Sequence, residues 1–147
     1  MEQLKIKLLS ETAKVPTRAT DGSAGYDLYA DISYPLYFPK GDILAIPTGV
    51  AIALPDAKSV AMVCARSGLA INHGVTLANG VGIIDSDYRG EIKVGLINLG
   101  TEDFTIEPQQ RIAQLLIMPV EIPELVVSDS LSETERGEGG FGSTGKK

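Results

Sequence analysis

The run Asp85-Ser86-Asp87-Tyr88-Arg89-Gly90 sets two carboxylates, a phenol ring and a guanidinium side by side. An aspartate of ordinary pKa, about 3.9, is ionised at neutral pH and can draw a proton from water, which makes Asp85 a candidate general base. Aspartates also cap turns through their own backbone, and residue types alone leave both roles open for Asp85 and Asp87. A second cluster, Arg66-Ser67-Gly68, stands between the apolar run 60–65 and a short helical stretch near 67–72. Backbone N–H groups at a helix start, a hydroxyl and a guanidinium fork would together suit a phosphate oxygen. Ser67 would equally serve as an ordinary N-cap.

Other motifs fall short of the chemistry they resemble. The C-terminal GFGSTGKK meets G-x-x-x-x-G-K-[ST] from Gly140 through Lys146, but Lys147 stands where Ser or Thr is required. No periodic strand precedes it and no helix follows, so the Gly, Ser, Glu and Lys content of the chain's end reads as a solvated, flexible arm in which Phe141 is the single aromatic. His73, the single histidine, has no second His or Cys nearby and reads as a loop or satisfied histidine rather than a metal ligand. Cys64 ends an apolar run and reads as a buried thiol. A G-x-S-x-G elbow and a zinc deaminase signature are both absent, which removes serine hydrolases and zinc deaminases from consideration.

These groups need a scaffold, and 147 residues suffice for one domain with a sizeable core. With no Trp and 5% aromatics, that core should consist of Val, Ile, Leu and Ala. Leu4, Ile6 and Leu8 alternate with Lys5 and Lys7, the pattern of a strand with one wet face. Similar runs are expected as strands at 26–30, 34–38, 42–47, 50–54, 59–64, 75–77, 81–84, 91–98, 103–106, 111–118 and 121–127. Turn pairs such as Asp21-Gly22 and Asn79-Gly80 separate them, and short strands spaced so evenly predict an all-β sandwich or barrel. The segment 79–91 is expected to form a hairpin with its acids near the tip. Periodicity ceases near Ser128, dividing a β domain (1–127) from an arm (128–147). Net charge −6 and a pI near 4.7 argue against long nucleic acids as partners. One cysteine, no signal-like segment and no long apolar run fit a cytoplasmic, non-membrane protein.

Taken in order, AGYDLYA (24–30), ARSGLA (65–70), GIIDSDYRGE (82–91), RIAQLLI (111–117) and RGEGGFGSTG (136–145) resemble the five motifs of the homotrimeric dUTPase family. The resemblance implies a distorted jelly-roll-like β fold, a homotrimer, and Mg²⁺-dependent hydrolysis of dUTP to dUMP and pyrophosphate. Such a reaction limits uracil incorporation into DNA and supplies dUMP for dTMP synthesis. It further implies active sites shared between chains, with the first, second and fourth motifs from one copy, the third from a neighbour and the fifth from the remaining copy's arm. Asp85 would then activate water for attack on the α-phosphorus, with Asp27 as support that orients the site or a metal-bound water. Arg66, Ser67, Gly68 and Gln114 would hold phosphate oxygens, and Arg111 would brace the interface. Asn79, Gly82 and main-chain groups near Ile84 would read the uracil edge, and Tyr88 would pack under the sugar. Arg136, Phe141, Gly142, Ser143 and Thr144 would close over the nucleotide, Phe141 on the base. The arm of 20 residues reaches at most about 65 Å, against a domain radius of gyration near 15 Å, so it can cross to a neighbour. The same likeness leaves a dCTP deaminase relative, or a dUTP-sensing module docked to a regulatory protein, as alternatives.

Overall fold

A computed structural model describes residues 3–140. Eleven strands and one helix run in the order β1 (Lys5–Leu8), β2 (Tyr26–Tyr29), β3 (Leu36–Phe38), β4 (Ile43–Pro47), β5 (Val50–Ala53), β6 (Ser59–Cys64), α1 (Ser67–His73), β7 (Val75–Leu77), β8 (Gly82–Ile84), β9 (Lys93–Asn98), β10 (Phe104–Ile106) and β11 (Arg111–Pro119). All strand pairs are antiparallel. A four-stranded sheet has the order β2-β11-β6-β8, a three-stranded sheet β4-β9-β7, and two further pairs join β1 to β5 and β3 to β10. The fold is all-β and jelly-roll-like with one short helix. No helix among the described residues is long and apolar enough to cross a membrane.

Period-two burial explains the strands. In β9, Val94, Leu96 and Asn98 point inward while Lys93, Gly95 and Ile97 are more accessible. The core is aliphatic, with Leu28, Ile46, Ile92, Leu96, Ile112 and Leu115 almost fully excluded from water. Each contributes about 1.5–3 kcal/mol relative to exposure. Phe38 is the one fully buried aromatic ring among the described residues. Asn98, also fully buried, is tolerated because its amide donates to Phe38 O and Glu102 O, while its Oδ1 accepts the Gly100 N–H.

The helix ends where glycine is required. Gly74 is left-handed (φ 69°), and a Cβ on it would strike the backbone of Gly100. Two expectations fail against these pairings. No strand forms over 121–127: Pro119 and Pro123 remove ladder donors, and Ile122, Leu125, Val126 and Val127 are exposed. Nor is 79–91 a hairpin, because among the described residues β8 pairs with β6 alone and the chain beyond Glu91 continues into β9, which pairs with β4 and β7. The Asn79-Gly80 turn carries the chain from one sheet to another, held by the Ala78 N–H on Gly95 O.

At the surface the Tyr37 hydroxyl donates to Asp103 Oδ2 (2.6 Å) and the Lys40 N–H reaches Oδ1 (3.0 Å). The Tyr37 bond, then the Lys40 N–H, holds the Asp103 carboxyl below its usual range, while the same bond pushes the Tyr37 phenol up. Asp103 therefore stabilises the fold above the ordinary carboxylate range, an effect lost as pH falls through its lowered pKa; Tyr37 does so below about 10, lost as pH rises through its raised one. Tyr37→Phe should move the Asp103 titration upward in carboxyl-carbon NMR, and an unchanged titration would remove the bond as its cause.

Candidate functional site

Register assembles the first polar cleft. Gln114 on β11 lies opposite Asp27 on one side and Cys64 on the other, so the end of β6 delivers Ala65 and Arg66 beside it. A register shift between Arg111 and Ala113 lets Ile112 and Ala113 both enter the core, leaving Gln114 at the cleft. Asp27, with 13% of its side chain exposed, accepts from Arg66 Nε at 3.0 Å through Oδ1 and from Arg111 Nη1 at 3.4 Å through Oδ2. Arg66 also donates to Arg111 O (3.3 Å), so one carboxylate orients two guanidiniums. Gln114 Nε2 donates to Ala65 O at 2.9 Å. The cleft, about 300 Å³, is lined by Ala19, Ser23, Ala24, Gly25, Asp27, Arg66, Ser67, Gly68 and Gln114.

Ser67 is not the N-cap. Arg66 occupies that position without a side-chain cap bond, and Ser67 is the first helical residue, so the first N–H groups of α1 stay open to the cleft. Gly68 would meet nothing within 4 Å with a Cβ added, so local packing does not require a glycine there. A ligand approaching that backbone would.

The second cleft, about 420 Å³, is lined by Ile83, Ile84, Asp85, Tyr88, Glu91, Ile92 and Lys93. β8 is an edge strand whose far side pairs with no strand among the described residues, leaving main-chain donors and acceptors along Gly82–Ile84 available to a planar partner. After it, the Tyr88 N–H closes a turn on Asp85 O (3.1 Å), and Arg89 Nη1 donates to Ser86 O (2.7 Å) and Tyr88 O (2.9 Å). Asp85 is exposed within the cleft, whereas Asp87 does not line it. Asn79 and Gly82 adjoin each other at the head of β8, next to Val63.

The two clefts share no lining residue. Asp27 and Ile84 belong to opposite edges of one sheet, three strand spacings (about 14 Å) across and three residues (roughly 10 Å) along. Arg111, expected at an interface, joins the Asp27 network. Arg136 lines neither cleft and donates to Gly139 O. Phe141, Gly142, Ser143 and Thr144 lie outside the described residues. Sequence reasoning passed over Gly25, Glu91 and Lys93; the first two sat inside recognised motifs, and only the fold reveals that their neighbours are polar site groups. Both Asp27 oxygens are engaged by guanidiniums, and among the described residues no three His, Cys, Asp or Glu converge. Among the described residues, then, no protein cage for a cation is assembled.

Comparison with known proteins adds the following. A family model described as dUTPase matches residues 11–145. The deoxyuridine 5'-triphosphate nucleotidohydrolase of Desulfitobacterium hafniense is 51% identical over 149 aligned positions, covering 99% of both chains. That of Rickettsia felis is 55% identical over 144, covering 97% of both. Among solved structures, a Staphylococcus bacteriophage 80alpha dUTPase with dUPNHPP superimposes with a TM-score of 0.89 at 28% identity, covering 99% of this chain and 100% of that one.

The packing of Gly25 provides a local check. A Cβ there would stand 2.6 Å from Gln114 Oε1 and 3.2 Å from its Cβ. Gly25→Ala should displace the Gln114 amide from Ala65 O and cost about 1 kcal/mol. Loss of the protected Gln114 side-chain amide signal in NMR, with a lower urea midpoint, is the expected result; an unshifted signal would contradict it.

Proposed function

The chain belongs to the dUTPase family and hydrolyses dUTP, and we propose that it does so with Asp85 as base, at sites completed between the copies of a homotrimer. The observation that carries this reading is the separation of the two clefts: Asp85 and Tyr88 at one edge, the Arg66–Asp27–Gln114 group at the other. A second copy that sets its β8 edge against the Asp27 edge of the first unites them.

In such a site the Asp85 carboxylate takes a proton from water as the water oxygen bonds to the α-phosphorus. The bond from that phosphorus to the bridging oxygen breaks, and pyrophosphate leaves with dUMP retained. Arg66, the Ser67 hydroxyl, the Gly68 N–H and the Gln114 amide hold phosphate oxygens, while Asp27 holds Arg66 at the cleft and also engages Arg111. Mg²⁺, if bound with the triphosphate, would neutralise phosphate charge, and Asp27 would orient the site or a metal-bound water. The edge groups of β8 with Asn79, Gly82 and Ile84 pair the uracil edge, and cytosine presents reversed donors and acceptors there, leaving buried polar groups unmatched. Thymine differs by a methyl and is rejected by lack of room. Tyr88 packs under the deoxyribose where a 2′-hydroxyl would sit. The arm from 128 to 147 brings Arg136, Phe141, Gly142, Ser143 and Thr144 over the nucleotide from a further copy. A cytoplasmic location, suited to a free nucleotide pool, belongs to the same proposal.

General-base assistance is worth roughly 10²–10⁴-fold. Asp85→Asn should therefore reduce pyrophosphate release from dUTP by that factor while a non-hydrolysable dUTP analogue still binds. Activity above a few per cent of native would remove Asp85 from the role. The same assay on a chain ended after Arg136 should show a folded protein with almost no turnover, and native turnover would remove the arm from the site.

A further inference from the structure

Glu91 makes contacts that the reaction above leaves without a purpose. Its Oε1 accepts the Gly49 N–H at 2.9 Å, and its main-chain oxygen accepts the Tyr88 hydroxyl at 3.0 Å. One half-buried residue thus joins the turn between β4 and β5 to the ring that faces the sugar.

Both ends of this link are fixed. Gly49 is buried with φ 65°, and a Cβ there would stand 2.5 Å from Ala13 Cβ and 2.5 Å from Asp31 Oδ2. Asp31 is in turn held by the Ser10 and Thr12 hydroxyls. Directly beside Glu91, buried Thr48 donates to Ile92 O (2.6 Å), and the Ile92 N–H reaches Val50 O (2.8 Å). On the ring side, Gly90 lies so close to Tyr88 that any Cβ would collide with the phenol.

This matters because Tyr88 is 45% exposed. A ring so placed could escape an added hydroxyl by changing rotamer, and apolar walls discriminate weakly against one extra oxygen, by about 10² at best. A wall rejects only if it does not yield. We propose that Glu91 is a specificity-determining positioning residue: anchored on the Gly49 N–H, it fixes the height of the Tyr88 ring and thereby the exclusion of ribonucleotides. The inference rests on the reading that Tyr88 packs against the sugar.

The test is the ratio of kcat/KM for dUTP to that for UTP in the full-length protein with Mg²⁺. Glu91→Ala should lower the ratio tenfold or more, chiefly by raising kcat/KM for UTP. Glu91→Gln keeps an amide oxygen for Gly49 and should restore most of the ratio although it loses the charge facing Lys93 Nζ, 3.8 Å away. Should Glu91→Ala fail to fold, Tyr88→Phe removes the hydroxyl anchor alone and should lower the ratio similarly. An equal loss on both substrates, or a Gln variant behaving like Ala, overturns the role of Glu91 while a ratio lowered by Tyr88→Ala leaves the sugar reading standing. A ratio unmoved by Tyr88→Ala overturns both.

Discussion

Strand β11 runs between β2 and β6, and that double pairing sets where the charged groups of the Asp27 cleft stand. Gln114 is placed between Asp27 and Cys64 by register alone, and Arg111 begins the strand within reach of the same carboxylate. Slip β11 by one residue and its buried set, Ile112, Ala113 and Leu115, turns outward with the cleft. Core burial and site geometry are therefore one constraint, and the hydrophobic pattern that stabilises the sheet also holds the polar groups in position.

The same sheet explains how an acidic chain takes a triphosphate. Net charge is −6, yet two guanidiniums on one carboxylate leave the Asp27 cluster, which borders the cleft, locally positive. Charges beyond the Debye length, about 8 Å at physiological ionic strength, are largely screened, so the local excess governs the phosphate. At the opposite margin of the sheet, the β8 edge carries main-chain groups with no strand partner among the described residues. The positive cluster and this β8 edge stand at opposite margins of one sheet.

Much of this was legible in the sequence. Val94, Leu96 and Asn98 alternate with accessible neighbours as the period-two pattern requires, and the helix at 67–72 gained only His73. Asp27, Arg66, Ser67, Gly68 and Gln114, scattered over three motifs, do share one cleft. What failed was partner choice. The segment 79–91 looks like a hairpin because turn residues stand on both sides of its apolar run, but 82–84 found its partner in β6 and the chain beyond Glu91 found its partners in β4 and β7. The run at 121–127 has strand-like side chains and no ladder, since propensity cannot show where a prolyl chain will find an edge. Glu91 was invisible for a similar reason: its partners at 49 and 88 include one more than forty residues away, fixed by the fold rather than by local pattern.

Subunit complementation tests the central claim most directly. Asp85→Asn and Arg66→Ala chains, each first shown to be inactive, would be unfolded, mixed in equal amounts and refolded together, and pyrophosphate release from dUTP measured. If sites are built from two copies, random assembly pairs an intact Arg66 cleft with an intact Asp85 in about a quarter of them, and activity should return toward that fraction. A mixture that stays as inactive as its parents would mean that each site lies within one chain.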